Sequence, residues 1–394
     1  MRVALYNPGW HVMGGGEVYL GTIAEILCEQ HQVDLIAVRP FDLQRLQERL
    51  GLRLSGVRVV EVPSAAVASP QGVREWLRNR RALARTYRAL ERATRAYDVA
   101  IAVESDLPPP LAARRNVLHV QVPHRRWSAG DLLRALRAGR LADVRRAVAR
   151  AAYFPRALRR YDLVLCNSRF TARVIEEQWR PSIPVLVVPP PAELPTTPVS
   201  WSEKRNIILS VARFFRGGHE KNQGVLIEAF RMFVARHPNW ELHLVGGAEA
   251  SEEVFVIELE RRARGMPVVF HVNAGREEVR RLYRLSKVFW HATGLGVDER
   301  REPERVEHFG IALVEAMGYG CIPFAIGRGG PREIIEPGVN GFFWETVPEL
   351  VERTAAVIAD PEVACVSARA AERARAFGRA AFRERALDAL ARIL

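Results

Sequence analysis

Short apolar runs alternate with amphipathic stretches along the whole chain. The first half opens with an apolar run from Arg2 to Asn7, a glycine-containing loop from Pro8 to Gly16 and an amphipathic stretch from Glu17 to about Gln30. This alternation predicts buried strands separated by helices. Further strands in this half are predicted at Val33 to Val38, Val57 to Val62, Asp98 to Val103, Asn116 to Val120, Asp162 to Cys166 and Pro184 to Val188.

The second half repeats the same rhythm after a proline-rich segment, Pro189 to Pro198. Proline fixes φ and removes hydrogen-bond donors, so this segment predicts an extended linker between a domain of residues 1–195 and a domain of residues 196–378. Strands alternating with helices indicate a parallel sheet covered on both faces. The predicted strands of this half are Asn206 to Val211, Glu241 to Val245, Pro267 to His271, Lys287 to His291 and Cys321 to Ile326.

Length and composition are consistent with this organisation. A chain of 394 residues suits two domains of ordinary size, and 48% hydrophobic with 26% charged residues is typical of a soluble globular protein. No apolar run approaches the roughly 18 residues needed to span a bilayer, and the N-terminus has no signal-peptide core. Four cysteines without metal-ligand spacing are expected to be reduced packing residues of a cytosolic protein: Cys28, Cys166, Cys321 and Cys365.

The charge is unevenly distributed. Net charge is +13, and residues 1–200 alone contain 30 arginines, no lysine and 18 acidic residues. Two arginine-rich helical stretches, Val73 to Tyr97 and Asp131 to Arg160, account for much of this excess. Their basic faces are either solvated surfaces or docking surfaces for anionic lipid headgroups, and the sequence leaves both interpretations open. On the first stretch the arginines are Arg74, Arg78, Arg81, Arg85, Arg88, Arg92 and Arg95.

Two carboxylates mark the most informative stretch, Glu304 to Trp344. Glu307 and Glu315 bracket the residues His308, Phe309, Gly310 and Ile311, and a helical apolar pattern begins at Gly310. Unpaired N–H groups at a helix start suit a diphosphate, Glu315 could accept hydrogen bonds from a ribose diol, and Glu307 could do so from a second sugar. The alternative is an ordinary amphipathic helix with solvated glutamates.

Two cations follow the first strand of the second half. Arg213 leaves the carboxyl end of that strand, where open α/β sheets bind ligands, and Lys221 stands at the start of the next helix. A turn at Gly217 and Gly218 would bring them together, and two cations can neutralise a leaving diphosphate without a metal. Surface charges on a loop are the alternative. Gly246 ends another strand and is expected to line the same nucleotide pocket.

The sequence words in this region resemble those of the retaining GT-B glycosyltransferases of family 4. WHATG (Trp290 to Gly294), EHFGI (Glu307 to Ile311) and GGPREII (Gly329 to Ile335) are similar to its lipid-linked-oligosaccharide and cell-surface mannosyltransferase branch. The resemblance covers nearly the whole chain. It implies two Rossmann-like α/β domains facing each other across a cleft, with a C-terminal helix, residues 379–394, returning to the first domain.

The resemblance also implies roles for particular residues. Arg213 and Lys221 would grip the donor diphosphate, and the backbone at Val272 would hold the base. The loop with Gly14, Gly15 and Gly16 would face the reaction centre, where the absence of side chains lets a ligand approach the backbone. A merely flexible turn is the alternative for these glycines.

The word QVPHRRW (Gln121 to Trp127) departs from the pattern that it resembles. Pro123, Arg125 and Trp127 match, but Gln121 stands where the family has a histidine. An amide can hydrogen-bond a sugar hydroxyl but cannot move a proton at neutral pH. The sequence leaves open whether Gln121 or one of its neighbours, His119 and His124, takes that place.

These observations predict transfer of a hexose, with mannose preferred by resemblance, from a nucleoside diphosphate sugar to a glycan or lipid-linked hydroxyl. No metal or other cofactor is expected, and the protein is expected in the cytoplasm, including the inner membrane face. A nicotinamide-dependent oxidoreductase is disfavoured because G-x-G-x-x-G is absent after Asn7. A nucleic-acid-binding protein is disfavoured because no reading module is recognisable.

Overall fold

A computed structural model describes residues 1–12, 14–63, 73–104, 107–217 and 219–394. The chain divides into two compact units. The first comprises Met1–Pro190 with Arg383–Leu394, and the second comprises Pro191–Phe382. The C-terminal segment is tied to the first unit by the ion pair of Arg383 with Glu29, in which Nη1 lies 2.6 Å from Oε1. Among the described residues, no helix is both long and apolar enough to cross a bilayer.

The first unit is built on a parallel sheet. In the described residues its order is β3-β2-β1-β4-β5-β6-β7. The central strands are buried along nearly their whole length because helices cover both faces, which explains their continuous apolar sequence. The strands are β1 (Arg2–Tyr6), β2 (Gln32–Ala37), β3 (Arg58–Glu61), β4 (Val99–Glu104), β5 (Arg115–Val120), β6 (Leu163–Cys166) and β7 (Val185–Val187).

The helices of the first unit follow the strands in the order expected of a Rossmann-like fold. They are α1 (Gly15–Leu27), α2 (Leu43–Leu50), α3 (Val73–Thr94), α4 (Ala129–Arg137), α5 (Leu141–Leu158) and α6 (Arg169–Trp179).

The second unit has a parallel sheet of the same kind. The order of its described strands is β10-β9-β8-β11-β12-β13. Together the two sheets confirm the predicted α/β class with two Rossmann-like units. The strands are β8 (Arg205–Val211), β9 (Glu241–Gly246), β10 (Val268–Val272), β11 (Ser286–Trp290), β12 (Ile322–Ala325) and β13 (Phe342–Phe343).

Helices cover both faces of the second sheet, and the last of them, α14, runs from this unit into the segment that joins the first. The helices are α7 (Gln223–Val234), α8 (Glu253–Arg262), α9 (Arg276–Leu285), α10 (Ile311–Gly318), α11 (Pro331–Ile334), α12 (Val347–Ala359), α13 (Val363–Ala374) and α14 (Arg379–Ala391).

Three local predictions are corrected. The predicted loop from Pro8 ends at Gly14 rather than at Gly16. Gly15 and Gly16 belong to the first turn of α1, whose N-cap residue is Gly14. The predicted helical stretch from Asp131 to Arg160 is two helices, α4 and α5, separated at Gly139, whose φ of 70° only glycine adopts readily. The seven-residue spacing of Leu83, Leu90 and Tyr97 predicts that all three lie on one buried stripe, but Leu83 is exposed. The side chains of residues 73–80, including Arg74 and Arg78, lie outside the described residues.

Candidate active site

The second sheet reverses its strand order between β8 and β11, which are parallel neighbours. In an open α/β sheet, the loops that leave two such strands diverge and form a crevice at their carboxyl ends. The loop after β8 contains Arg213 and Lys221, and the loop after β11 contains His291 and Glu307. The topology therefore brings together residues that lie far apart in the sequence.

The Glu307 carboxylate is the centre of this crevice. Its Oε2 lies 2.8 Å from Lys221 Nζ and 2.9 Å from His291 Nε2. The side chains of Lys221 and Glu307 are only 16% and 13% exposed, so the ion pair is largely removed from water. The two charges attract each other more strongly here than on the surface, and loss of either partner would leave an uncompensated buried charge.

Two further histidines surround the pair. His219 Nε2 lies 3.1 Å from Lys221 Nζ and can accept a hydrogen bond from it. The His308 ring stands edge-on to His219 with centroids 4.8 Å apart. On the other side, Thr293 Oγ1 lies 3.2 Å from His291 Nε2. The crevice is thus lined with imidazole groups around one carboxylate and one ammonium group.

Burial determines the charge of these groups. Desolvation alone would raise the pKa of Glu307, but Lys221 and the hydrogen bond from His291 hold it well below its usual value. Desolvation lowers the pKa of His219 to about 2, helped by the Lys221 charge, and lowers the pKa of His308 to about 4. At neutral pH, Glu307 is therefore a carboxylate, while His219 and His308 are neutral and able to accept hydrogen bonds.

Two glycines fix the backbone around Glu307. The carbonyl of Glu307 accepts a hydrogen bond of 2.8 Å from the N–H of Gly330. A Cβ on Gly329 would come within 2.2 Å of the same carbonyl oxygen, and a Cβ on Gly330 within 2.4 Å of the Cα of Phe309. Only glycine permits this close approach of two backbones. The GGPREII segment thus fixes the backbone of the EHFGI segment.

Helix α10 begins beside Glu307 without a side-chain cap. Its N-cap residue, Gly310, has a φ of 108°, and its carbonyl accepts the first helical bond from Val314. Phe309 is buried in the core against Phe377, and Ile311 is partly exposed. The first-turn N–H groups can therefore donate hydrogen bonds to an anion, but the side chain of Phe309 cannot contact a ligand.

Glu315 lies in the second turn of α10, half-buried. The Tyr283 hydroxyl donates to its Oε2 over 3.1 Å, and the N–H of Glu193 donates to its Oε1 over 3.4 Å. Burial raises the pKa of Glu315 to about 7, although both hydrogen bonds oppose this rise. Glu193 is itself paired with Arg276 and Arg280 of α9. Glu315 is therefore held firmly and is poised to titrate near neutral pH.

Arg213 behaves differently from Lys221. Its side chain is exposed, with the guanidinium carbon 5.4 Å from the centre of the Phe215 ring, while its carbonyl accepts a hydrogen bond of 2.9 Å from Gln223. The backbone of Arg213 is fixed and its charge is available to a ligand. Lys221 precedes the N-cap of α7, Asn222, by one residue, and Gly218 lies outside the described residues.

Gly246 and Val272 end neighbouring strands. A Cβ on Gly246 would lie 1.9 Å from the carbonyl oxygen of Ala212, so this glycine lets the β8 loop pack against the end of β9. The side chain of Val272 is 39% exposed at the end of β10, and Asn273 follows with a positive φ of 57°. Gly246 thus shapes the crevice through packing, and Val272 is accessible at its edge.

In the first unit, Gly16 and Gln121 meet at the start of α1. A Cβ on Gly16 would lie 2.6 Å from Gln121 Oε1, so a side chain at this position would displace the Gln121 amide. The N–H of Gly14 is bound by Glu17 Oε2 over 2.6 Å, and Gly15 begins the helix. Four candidate residues of the first unit are therefore grouped at the start of α1: Gly14, Gly15, Gly16 and Gln121.

Two other first-unit candidates have structural roles. His119 is 1% exposed and stacks on Tyr19 with ring centres 3.6 Å apart, and burial lowers its pKa to about 3. It is a neutral core side chain rather than a surface ligand, which corrects its placement in the cleft. Arg125 pairs with Asp131 over 2.8 Å and so supports the capped start of α4. The carbonyl of His124 accepts a hydrogen bond from Trp179.

Two family models match the chain. The model Glycosyltransferase Family 4 matches residues 13–194, and the model Glycosyl transferases group 1 matches residues 197–380. The chain belongs to the family 4 glycosyltransferases. A relative from Homo sapiens, GDP-Man:Man(3)GlcNAc(2)-PP-Dol alpha-1,2-mannosyltransferase, is 27% identical over 216 residues, which are 50% of this chain and 41% of the relative. The chain spans less than half the length of such curated relatives.

Solved structures show the same fold. Anabaena Alr3699/HepE in complex with UDP and glucose superposes with a TM-score of 0.68 and 19% identity, covering 100% of both chains. Sucrose-phosphate synthase from Thermosynechococcus elongatus superposes with a TM-score of 0.71 and 18% identity, covering 100% of this chain and 98% of that one. These similarities establish the GT-B fold of this family 4 member.

His219, His291 and Thr293 are the members of this glycosyltransferase site that sequence reasoning missed. His291 and Thr293 lie within the quoted word WHATG, and His219 lies two residues before Lys221. Their signal was position: WHATG follows β11, which neighbours β8 in the sheet. Without the strand order, nothing in the sequence connects His291 and Thr293 with Lys221.

We predict that Lys221→Met destabilises the second unit by about 3 kcal/mol at pH 7, because Glu307 is left charged and poorly paired in a buried site. The depressed pKa of Glu307 stabilises the native state above the unfolded pKa of glutamate, and this contribution is lost as pH falls through the folded pKa. In Lys221→Met, Glu307 takes up a proton more readily, so the deficit should shrink from pH 7 to pH 5. Thermal unfolding at both pH values measures this.

The double variant Lys221→Met, Glu307→Gln is the control, because it leaves no buried charge. It should recover most of the stability at pH 7. Equal unfolding temperatures for wild type and Lys221→Met would show that the pair does not hold this crevice together.

Proposed function

We propose that this chain transfers a hexosyl group from a nucleoside diphosphate sugar to a hydroxyl group of a glycan or lipid-linked acceptor, with retention of the anomeric configuration. The observation that carries the proposal is the Lys221–Glu307 pair beside the uncapped start of α10, at the crevice of the second sheet. A cation, a carboxylate and free N–H groups in one crevice match the two ends of such a donor.

The diphosphate would bind at the start of α10. The N–H groups there, the ammonium group of Lys221 and the exposed guanidinium of Arg213 supply positive charge. An ammonium group has three donors, so Lys221 can keep Glu307 and still bind a phosphate oxygen. These groups are fixed before the ligand arrives, which favours stabilisation of the charge that develops on the leaving diphosphate.

The sugar would lie against Glu307 and His308. Oε2 of Glu307 is occupied by Lys221 and His291. Oε1 can accept a sugar hydroxyl. His308 is 5% exposed, and its Nε2 has no partner among the described residues. Since a buried polar atom without a hydrogen bond is costly, a donor hydroxyl is a suitable partner for this nitrogen.

Glu315 would accept the ribose hydroxyls, supported by Tyr283. The base would lie along the exposed end of β10 at Val272. Mannose from GDP-mannose is the preferred donor, because the curated relative from Homo sapiens is named for GDP-Man. A structural neighbour is bound to UDP and glucose, so the base and the sugar both require a direct test.

In the proposed reaction, the bond between the anomeric carbon and the diphosphate oxygen breaks as the acceptor oxygen attacks the same face of the sugar. The departing diphosphate takes the acceptor proton. Glu307 orients the sugar, while Arg213, Lys221 and the α10 amides stabilise the leaving group. Two cations and a helix start suffice for the diphosphate, so we propose that no metal is required.

The first unit would bind the acceptor near Gly14, Gly16 and Gln121. The exposed arginines of α3, α4 and α5 would attract the protein to an anionic membrane surface, and in this proposal that surface is the cytoplasmic face, which carries the lipid-linked acceptor. The oxidoreductase and nucleic-acid alternatives account for neither the family match nor the Lys221–Glu307 crevice.

A panel of nucleoside diphosphate sugars tests the proposed function. We expect slow hydrolysis of the donors, with GDP-mannose hydrolysed fastest. The rates should be unchanged in EDTA. NAD and duplex DNA should leave the intrinsic fluorescence unaltered, whereas GDP should change it. Hydrolysis that is lost in EDTA and restored by Mg²⁺ would contradict the proposed diphosphate site, and no response to any donor would contradict the function.

Arg213→Ala should slow the chemical step by roughly 10²–10³-fold, because charge grows on the leaving diphosphate during bond cleavage. Donor affinity should fall less. Arg213→Lys should remain impaired, since an ammonium group cannot form the bidentate contact. Single-turnover rates at saturating donor measure this, with Arg216→Ala as the control, because Arg216 is paired with Glu258. Normal turnover of Arg213→Ala would exclude Arg213 from the site.

Nucleotide affinity should weaken as pH is lowered, because Glu315 becomes protonated. Since its pKa is about 7, the carboxylate that accepts the ribose diol is depleted as pH falls from 8 to 6, and affinity for GDP should weaken by roughly tenfold. Titration calorimetry at several pH values measures this. In Glu315→Gln the carboxylate is absent, so only the titration of the nucleotide itself should remain. Identical pH profiles would contradict the ribose role.

A further inference from the structure

Helices α4 and α5 expose large apolar side chains to solvent. Four of these residues are about half exposed, with values of 46–52%, and we refer to them as the apolar stripe: Leu133, Leu136, Leu141 and Val148. Removal of the exposed part of an aliphatic side chain from water is favourable in proportion to its apolar area. Four such side chains on one helical pair therefore form a surface that favours removal from water.

The stripe lies on the outer side of a helical hairpin. The two helices pack against each other and are connected through Gly139. The opposite side is buried in the first unit at Ala135 of α4 and at Phe154 and Leu158 of α5. On α5, the spacing from Leu141 through Arg145 and Val148 to Ala152 follows i, i+4, i+7 and i+11, which places these residues on one outward line.

Positive charge is interleaved with the apolar stripe. Asp131 is paired with Arg134 over 2.6 Å, and Asp143 with Arg140 over 2.8 Å. The remaining exposed arginines of the hairpin form no ion pair within the part of the chain that the structure describes: Arg137, Arg145, Arg146 and Arg156. Both acidic residues of the hairpin are thus neutralised already, and its outer surface carries unbalanced positive charge.

Helix α3 has a different surface. Its outward arginines are exposed in the same way, but among its described side chains Leu83, 37% exposed, stands out as the exposed large apolar residue. It offers charge with little apolar area. The combination of unpaired positive charge and exposed apolar area distinguishes the hairpin from the rest of the basic surface.

A groove at the far end of α5 extends this basic surface. It has a volume of about 350 Å³ and lies between α3 and α5. Arg88, Arg156 and Arg160 line it, and the acidic residue among its lining is Glu91, which lies 3.4 Å from Arg160. Arg156 lies eight residues, about two helical turns, beyond Val148, so the groove and part of the apolar stripe share helix α5. Its guanidinium groups can bind a lipid phosphate.

We propose that the α4–α5 hairpin inserts the apolar stripe into the headgroup region of an anionic bilayer. Apolar side chains interleaved with arginines are the composition of a helix that lies in the membrane interface. Insertion of the apolar side chains and attraction of the basic residues to anionic lipid act together. The hairpin is thus a membrane anchor in addition to the charge attraction proposed for the basic surface as a whole.

The test is sedimentation with vesicles of phosphatidylcholine alone or mixed with phosphatidylglycerol. Wild type should bind the anionic vesicles and not the neutral ones. The variant Leu133→Gln, Leu136→Gln, Leu141→Gln, Val148→Gln keeps every arginine and should bind the anionic vesicles at least about tenfold more weakly. Because salt screens the arginines but not apolar burial, the ratio between the two proteins should persist at high salt.

The control is Val254→Gln, Ile257→Gln, which removes two exposed apolar side chains from α8 of the second unit. It should bind as wild type does. The stripe residues are half exposed, so both variants should unfold at the wild-type temperature, and donor hydrolysis should be unchanged.

Equal binding by wild type and the stripe variant would overturn the proposal and leave attraction by charge alone. Equal sedimentation of wild type with neutral and anionic vesicles would overturn the requirement for anionic lipid. A wild-type dimer in solution that the stripe variant converts to a monomer would assign this surface to a second copy of the chain instead.

Discussion

The buried ion pair of Lys221 and Glu307 is the interaction on which the candidate site depends. It connects the loop after β8 with the loop after β11, and these loops meet because the strand order of the second sheet reverses between them. Removal of either partner would leave the other charge poorly paired in this largely dry crevice, at a cost of several kcal/mol. The backbone of Glu307 is fixed independently by Gly329 and Gly330, so the carboxylate is already in place before a ligand binds.

The electrostatics of the crevice follow from this pair. Dehydration and the ammonium group of Lys221 keep His219 neutral, and dehydration keeps His308 neutral. Two neutral acceptors and one carboxylate suit the hydroxyl groups of a sugar, whereas an additional cation would bind a phosphate in their place. Farther along α10, Glu315 is only weakly acidic and has a hydroxyl partner in Tyr283. Positive charge from Lys221 therefore lies beside the start of α10, and this region stands between two carboxyl groups, those of Glu307 and Glu315.

Much of the fold and part of this site could be predicted from the sequence. The alternation of apolar runs defines both sheets, and Arg213, Lys221, Glu307 and Glu315 stand beside strand ends or a helix start where sequence patterns are informative. His291 could not be found, because its contact with Glu307, 16 positions further along, depends on how the loop after β11 folds back on itself. His119 is buried in the core, but its sequence position, one residue before the end of an apolar strand, is the same for a ring that faces a ligand and for one that stacks on Tyr19. The break between α4 and α5 is encoded by a single glycine within a helical pattern.

Hydrogen–deuterium exchange of the whole chain, with and without a saturating nucleoside diphosphate, tests the central claim most directly. Ligand bound at the Lys221–Glu307 crevice should slow exchange of the amides at residues 213–222 and at residues 307–316, since both segments would contact the diphosphate or ribose. GDP and UDP should be compared in the same experiment. Slowed exchange in these two segments is the predicted result, whereas unchanged exchange there with either nucleotide bound would contradict the account.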